Sequence, residues 1–389
     1  MNYENDFRAL QHYVLTHPNW EYELKHTPYF LKIKRAPYNP NWVMFTYVIF
    51  DTDFSLPEVR ASRGSIFELP TMKPICLPFY VFKNWNELCH DDIDWDSAKV
   101  ELKVDGSMIK CVKHDGKVWW FTNGNTFTET NLMLKWHEAD EPESENARTY
   151  HDLIEVALNK KPRDWIDKIP EDVTFMFELV SPRNVIIVPY DKTEFWFLGA
   201  RDNSSMLEID RDEAKSKYGI PFEVPPVIDA HDIKSLQETV KTWRGDKEGV
   251  VVVDKNFRRI KVKTDFYLNV KFTKAAADLS LKRVYTLIRN GTIDDAIALT
   301  PELAPRAEYM QGLIRKYDDL YWKCIEESRK YIATLPKNAD AHTACFEKYK
   351  DTPDFSKYML GINSDDSIVS ELARTPWVRF RNFFNLTDN

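Results

Sequence analysis

The sequence predicts an α+β protein of two domains, a mixed domain built on antiparallel sheets followed by an all-α domain. Three observations carry this. The chain has 389 residues, more than one hydrophobic core usually serves. As far as about residue 270, short segments either alternate polar and apolar residues or run apolar with a β-branched and aromatic bias, as strands do. Beyond Lys274 the apolar residues recur with the 3.6-residue period of a helix. The boundary is expected at 272/273, giving domains of residues 1–272 and 273–389.

Taken in order, Glu101 to Ser107 (ELKVDGS) reads as a strand with Glu101, Lys103 and Asp105 on one face, after which Gly106 lets the chain turn away. Cys111 to Phe121 reads as a hairpin about Asp115-Gly116, a strong two-residue turn pair. Trp119 and Trp120 then fall on opposite faces of one strand, so at most one can face a ligand. Residues 138–148, with five acids and one base, read as an exposed loop or a helix start. Thr174–Val180 and Arg259–Thr264 alternate; Asn184–Tyr190, Phe195–Leu198 and Gly249–Val253 are short apolar runs. In the second domain Leu281, Val284, Leu287 and Ile288 form a helical stripe, capped at Asn290-Gly291. A long helix is expected from Pro305 to Leu335, with Met310, Leu313, Ile314, Tyr317, Leu320, Tyr321 and Cys324 on one face. Shorter helices are expected over Ala339–Phe346, Phe355–Met359 and Ile368–Ala373.

Composition excludes several classes. Hydrophobic residues at 43% and charged residues at 29% describe a globular chain, not a disordered one. No stretch approaches the ~20 apolar residues of a membrane span, and MNYENDFRALQHYV lacks the basic start and apolar run of a secretory signal. Five cysteines, odd in number and without a CxxC pair, point to a reducing, cytoplasmic compartment and away from a disulfide framework or a cysteine zinc site. The net charge of -8 argues against general nucleic-acid binding, but residues 251–274 hold seven bases and two acids, a local strip able to bind phosphates. Glycine is scarce, at 11 residues.

The residues that carry chemistry are lysines and carboxylates. A lysine at a pocket edge serves as a nucleophile when burial or neighbouring cations depress its pKa, and Lys103 is the candidate. Lys261 and Lys263, two residues apart in IKVKT, present both ammonium groups on one face and suit a polyphosphate. Either motif alone is as readily a strand-to-turn junction or a solvated face. Their order among further motifs is more specific: Arg63-Gly64-Ser65 before Phe67-Glu68, the lysine strand, a hairpin ending at Gly124, Phe177 to Val180 (FELV), Glu248-Gly249-Val250-Val251, and IKVKT.

This ordered set resembles the covalent nucleotidyltransferases, that is ATP-dependent ligases and mRNA capping enzymes, and most closely the bacteriophage-type RNA ligase 1 family. KVDGS stands where that family has KEDGS. Met108 stands where capping enzymes and DNA ligases usually carry an arginine. FELVSPRNVIIVPY resembles the family's third motif and following strand, and EGVVVVDKNFRRIKVKTDFYLNVK its fourth and fifth, ending in Asp265, Phe266 and Tyr267. The resemblance spans about residues 40 to 272; the remainder is similar in length and helical pattern alone.

The resemblance implies an adenylyltransferase domain of ATP-grasp-like ligase type, then a helical domain concerned with RNA specificity. It implies ATP as AMP donor, with Mg²⁺ or Mn²⁺. Lys103 would attack the α-phosphate, assisted by Lys261 and Lys263. The AMP would pass to an RNA 5′-phosphate, and a 3′-hydroxyl would then seal the strand of a single-stranded or broken structured RNA such as tRNA. Glu248 and Glu178 are the implied metal carboxylates, Glu178 also reaching a ribose hydroxyl. Arg63, Lys83, Leu102, Gly106 and Asn123 are implied ATP contacts, and Leu198 and Val250 the faces of the adenine site. Two slots depart from the pattern: Val81 stands where the family has a lysine, with Lys83 two residues later, and Asn123 replaces a basic residue before Gly124. A monomer without membrane association is expected, in the host cytoplasm if the chain is phage-encoded. The alternatives are another covalent nucleotidyltransferase, either a capping guanylyltransferase or a DNA ligase, and a non-catalytic RNA-end-binding protein.

Overall fold

The computed structural model describes residues 4–26, 28–47, 53–86, 90–129, 140–243, 247–264, 267, 280–289, 293–299, 303–336, 339–352, 355–365, 367–368, 372 and 375–386. The chain divides into two compact units, Met1–Val48 with Thr52–Lys274, and one that holds Ala275–Asn389. The first is mixed, the second helical, as the change of period predicts.

Three sheets make up the first unit. The strands β1 (Leu31–Ala36), β2 (Asn39–Tyr47), β3 (Arg63–Glu68) and β4 (Lys73–Cys76) pair antiparallel in chain order. Their alternation buries both faces. Leu31, Ile33, Val43, Phe45 and Phe67 pack against Phe7, Leu10 and Val14 of the N-terminal helix, while Trp42, Met44 and Ile66 meet Val112 and Phe121 of the second sheet.

That second sheet contains β7 (Ser107–His114), β8 (Lys117–Thr122), β9 (Val173–Val180), β10 (Glu194–Asp202) and β11 (Glu208–Ile209), in the antiparallel order β11-β10-β9-β7-β8. β7 and β8 are the hairpin read from Asp115-Gly116. Both turn residues have positive φ, 52° and 73°, as a type I′ turn requires. Along β9, Phe175, Phe177 and Leu179 point into the largest core, with Trp165, Phe195, Phe197 and Phe222. Trp120 stacks on Phe195 in this core, and Trp119 packs between Tyr38 and Trp42 on the opposite face. Both tryptophans are therefore packing residues.

The third sheet has the order β5-β13-β12-β6, from β5 (Lys83–Asn84), β6 (Lys99–Lys103), β12 (Gly249–Val253) and β13 (Arg259–Lys263). Its β5–β13 pair is parallel and the others antiparallel. One face carries Val100, Val250, Val252, Ile260 and Val262 into a core closed by Leu236 and Val240. The free edge of β6 is covered: the Leu102 N–H donates to the Pro226 carbonyl at 2.9 Å, and the Ile228 N–H to the Val100 carbonyl at 2.8 Å.

One expected strand is absent. Asn184–Tyr190 contains no ladder, because the N–H groups of Ile187 and Val188 donate to the Asp105 carboxylate (2.9 and 2.8 Å) and are lost to sheet pairing.

In the second unit, helices span Leu281–Arg289, Ile293–Leu299, Ala304–Ile332, Ala341–Tyr349, Ser356–Met359 and Trp377–Phe384. The long helix buries Met310, Ile314, Tyr317, Tyr321 and Cys324 on the expected face, and Leu313 and Leu320 are half-buried. Asp318 on the same helix forms a bidentate pair with Arg289, at 3.0 and 3.1 Å. The Asn290-Gly291 cap and most of Ile368–Ala373 lie outside the described residues. No described helix is long and apolar enough to cross a membrane.

Trp165, 1% exposed, is wedged among Trp120, Phe177 and Phe222. Trp165→Ala is expected to destabilise the first unit by about 3–5 kcal/mol, read as a shift of the urea midpoint with the slope retained.

Candidate active site

The third sheet's register builds the site. Lys103 on β6, Gly249 on β12 and Lys263 on β13 lie in one row across three strands. Glu101, Val251 and Lys261 form the next row. Alternation places both rows on the face opposite the valine core. A cavity of about 360 Å³ opens there, lined by Lys103, Lys261 and Lys263 together with Arg63, Asn123, Glu178 and Leu198. Residues from β3, β6, β9, β10, β12 and β13, with Asn123 one residue past β8, thus converge on one space.

Glu248, one residue before β12, reaches two of the lining lysines. It is 3% exposed, and its carboxylate accepts from Lys103 Nζ at 2.6 Å and pairs with Lys263 Nζ at 3.2 Å. Burial pushes its pKa up, but the two lysines outweigh this and hold it below the ordinary carboxylate value. Lys103 shows the counterpart. Burial pushes its ammonium towards the neutral form, yet Glu248 and then Glu178 win, and its pKa stands well above the usual lysine value. The expected depression by neighbouring cations is therefore not the resting state, because a carboxylate lies between the two lysines. Lys263 also rests 5.1 Å from the centroid of the Tyr267 ring.

Glu178 on β9 faces the same point and accepts from the Gly106 N–H at 3.2 Å. Burial is the main cause that drives its pKa up, to about 7; Lys103 opposes this, and Glu248 and Asp105 add to it. Asp105 lies past the end of β6, not on the strand face beside Lys103, and is spent on anchoring. It accepts from Ile187, Val188 and the Tyr267 hydroxyl (2.9 Å), while its own N–H donates to Tyr190 Oη at 3.1 Å. Tyr267 is buried and bonded, which gives the lone aromatic a specific task.

Several expected contacts fall elsewhere. Val250 faces the valine core at 0% exposure, and its neighbour Val251 lines the cavity; with a two-residue period, the choice of register residue decides the face. Lys83 pairs beside Ile260 on β5 and places its ammonium 4.0 Å over the Phe54 ring, away from the lining residues. Val81, in the slot it leaves, does line the cavity. Gly106 is a packing position: a Cβ there would lie 2.4 Å from the Leu179 carbonyl oxygen. Leu102 contributes to the lining between Glu101 and Lys103.

The sequence reading missed other lining groups. Arg259 shares its face with Lys261 and Lys263, a signal present in RRIKVK; it pairs with Glu208 at 3.0 Å and lies 4.5 Å over the Phe79 ring. Glu101 pairs with Arg211 at 2.6 Å. Tyr47, Phe79 and Phe82 also line the cavity, brought in by chain folding that no local pattern announces. Arg63 donates to the Tyr80 carbonyl at 2.9 Å and lies 4.9 Å from the Phe82 ring. A separate group, His114, Glu171 and Asp172, has ligand atoms within 4.8 Å of one another. It sits at the turn end of β7, roughly 23 Å from Ser107 at the strand rise, and Lys73 already pairs with Asp172 at 3.3 Å.

Glu178 holds its proton to about pH 7 in the folded chain, against an ordinary 4.5. Between these values the unfolded chain releases a proton that the folded one keeps, so stability is lost as pH rises through the interval. Glu178→Gln does not titrate. Its stability relative to wild type is expected to grow from pH 4.5 to 7 and level off above, measured by urea unfolding at a series of pH values.

Comparison with known proteins places this geometry. An RNA ligase family model of the T4 ligase 1 type matches residues 62–276. A candidate bifunctional polynucleotide kinase/RNA ligase of Autographa californica nuclear polyhedrosis virus is 27% identical over 296 residues, 70% of this chain and 39% of the relative. A candidate RNA ligase of Thermovibrio ammonificans is 23% identical over 292 residues, 71% of this chain and 70% of the relative. The chain thus spans well under half of the viral relative. Among solved structures, an archaeal ATP-dependent RNA ligase aligns with a TM-score of 0.44 at 12% identity, over 78% of each chain. A Naegleria gruberi RNA ligase variant solved with ATP and Mn aligns with a TM-score of 0.34 at 14% identity, over 45% of this chain and 52% of the other. With more than half of its length matched by the family model, across the strands that carry Lys103, Glu178, Glu248, Lys261 and Lys263, the chain belongs to the RNA ligase family.

Proposed function

We propose that this protein is an ATP-dependent RNA ligase that joins a 5′-phosphate to a 3′-hydroxyl RNA end by way of a lysyl-AMP and an RNA-adenylate. The observation that carries the reading is the position of Lys103. It is a lysine at the wall of a nucleotide-sized cavity, 2.6 Å from a carboxylate that also pairs with a second lysine. The family membership supports it.

In the first step the neutral Lys103 amine attacks the α-phosphorus of ATP. A P–N bond forms, the bond to the bridging oxygen breaks, and pyrophosphate leaves with the electron pair. The amine must first lose its proton, which in the resting site is hydrogen-bonded to Glu248 Oε2. At rest Glu248 holds the ammonium charged, so the nucleophile is released only when that carboxylate is drawn to another partner. Lys261, Lys263 and Arg63 face the charge that develops on the phosphate oxygens. Leu198 and Val251 offer apolar walls to the base. In the second step the AMP passes to the 5′-phosphate of the RNA. In the third the 3′-hydroxyl oxygen attacks that phosphate and AMP leaves.

Glu248 and Glu178 fit a hard divalent ion, which takes few carboxylates and keeps water and phosphate as its other ligands. Mg²⁺ or Mn²⁺ held there would neutralise the polyphosphate. The helical unit, residues 273–389 in this reading, would select the RNA, such as a broken tRNA. The free thiols of Cys76, Cys111, Cys324 and Cys345 suit the cytoplasm as its place of work.

Incubation with labelled ATP and a divalent metal is expected to give an alkali-stable, acid-labile protein adduct, absent with GTP and absent in Lys103→Ala. Adduct formation with GTP alone overturns the ligase reading. Single-stranded 5′-phosphorylated RNA is expected to be sealed in preference to a nicked duplex.

A further inference from the structure

Behind the cavity wall, β7 carries a lysine for which the chemistry above has no use. Lys110 is 0% exposed, and among the described residues no carboxylate pairs with it. Its ammonium donates to the carbonyl of Gly64, next to Arg63 on β3. A buried cation without a counter-ion costs stability, and an apolar residue would pack there better. A second unpaired group stands beside it. Asn123 on the cavity wall has its carboxamide oxygen buried without a hydrogen-bond partner, while its amide nitrogen makes no hydrogen bond among the described residues. The two meet at Gly64. A Cβ on this residue, whose φ is +87°, would lie 2.7 Å from Lys110 Nζ and 3.0 Å from Asn123 Oδ1. Glycine leaves open the one spot on which the ammonium and the amide oxygen converge.

We propose that Lys110 is a positioning residue for phosphate binding: its ammonium takes the Asn123 carboxamide oxygen from behind and so turns the two amide N–H donors outward, beside Arg63, towards a phosphate oxygen in the cavity. The inference rests on reading the cavity as a nucleotide site. An asparagine presents an acceptor at one end of its amide and donors at the other. A cation fixed at the oxygen therefore decides which end meets the ligand. The phosphate could belong to the ATP tail or to the RNA 5′ end.

A pH dependence follows. Burial lowers the Lys110 pKa to about 8; the charged groups facing it are the Cys76 thiol on β4, which works the other way, and Arg63 on β3, which adds to the lowering. Below that pH the ammonium is available to the Asn123 oxygen, which has no hydrogen-bond partner in the resting structure. Above it, the donor and its charge are lost and phosphate affinity falls.

The test measures KM and kcat for ATP in adduct formation without RNA, and KM for 5′-phosphorylated RNA with pre-adenylated enzyme, from pH 6.5 to 9.5. The proteins compared are wild type, Lys110→Met, Asn123→Ala and the double variant. Both single variants are expected to raise KM about tenfold, the worth of one charge-assisted hydrogen bond, with kcat little changed and without the wild type's rise in KM above pH 8. The double variant is expected to be no worse than either. At pH 7 the melting temperature of Lys110→Met is expected to equal or exceed that of wild type, which separates lost positioning from lost fold. A change in the ATP arm assigns the phosphate to the nucleotide, and a change in the RNA arm assigns it to the 5′ end. If Lys110→Met does not fold, Asn123→Ala decides alone. Unchanged KM values with the alkaline rise retained overturn the inference. A wild type that forms no adduct at all overturns the proposed function and this inference with it.

Discussion

One carboxylate shared by two ammonium groups organises the site. Glu248 lies 2.6 Å from Lys103 and 3.2 Å from Lys263, on strands that flank its own. The two lysines face each other across Gly249, which contributes no side chain between them. A Cβ at that glycine would meet the Val262 carbonyl oxygen at 2.1 Å. Buried charges are tolerated when they are paired and hydrogen-bonded, so Glu248 makes it possible to hold two lysines at the wall of one cavity. The same contact keeps Lys103 protonated in the absence of ligand. In the proposed reaction its nucleophilicity is thus conditional on whatever draws Glu248 away, which would tie the chemistry to the arrival of the substrate.

The connection from Lys103 to Ser107 explains how a second set of carboxylates reaches this point. The strand that carries Lys103 ends in the third sheet, and four residues later the chain begins β7 in the second sheet. The short link holds Asp105 and Gly106. Asp105 is tied to the 187–188 backbone and to Tyr267, and Gly106 donates to Glu178. Two sheets with separate cores are in this way joined at the reacting residue. Misplacement of either sheet would be felt at Lys103, which is the precision that positioning chemistry requires.

Legibility was uneven, and the reasons are physical. The Asp115-Gly116 hairpin, the β9 and β13 alternations and the long helix could be read because they follow from local period and local turn chemistry. The pairing of Lys261 with Lys263 could be read for the same reason. Asn184–Tyr190 has the apolar run of a strand but forms none, because its N–H groups are claimed by a carboxylate some eighty residues away in sequence. Val250 was chosen where Val251 faces the cavity, since a run of four valines has no polar partner to mark the inner face. Arg259 carried a signal, its shared face with two site lysines. Phe79 and Phe82 carried none.

Sequence by itself determined the residue types, their order and the strand period that puts Lys261 and Lys263 on one face. Together with the resemblance to the RNA ligase family, that order is enough to name Lys103, Glu178, Glu248, Lys261 and Lys263 as one set, because motifs and their spacing are local properties of the chain. Tertiary structure alone decided which groups meet: the placement of Glu248 between two lysines, the use of Asp105 as an anchor, and the approach of Lys110 to Asn123 at Gly64. Charges act on their neighbours through distance and burial, and neither is written in a chain until it is folded.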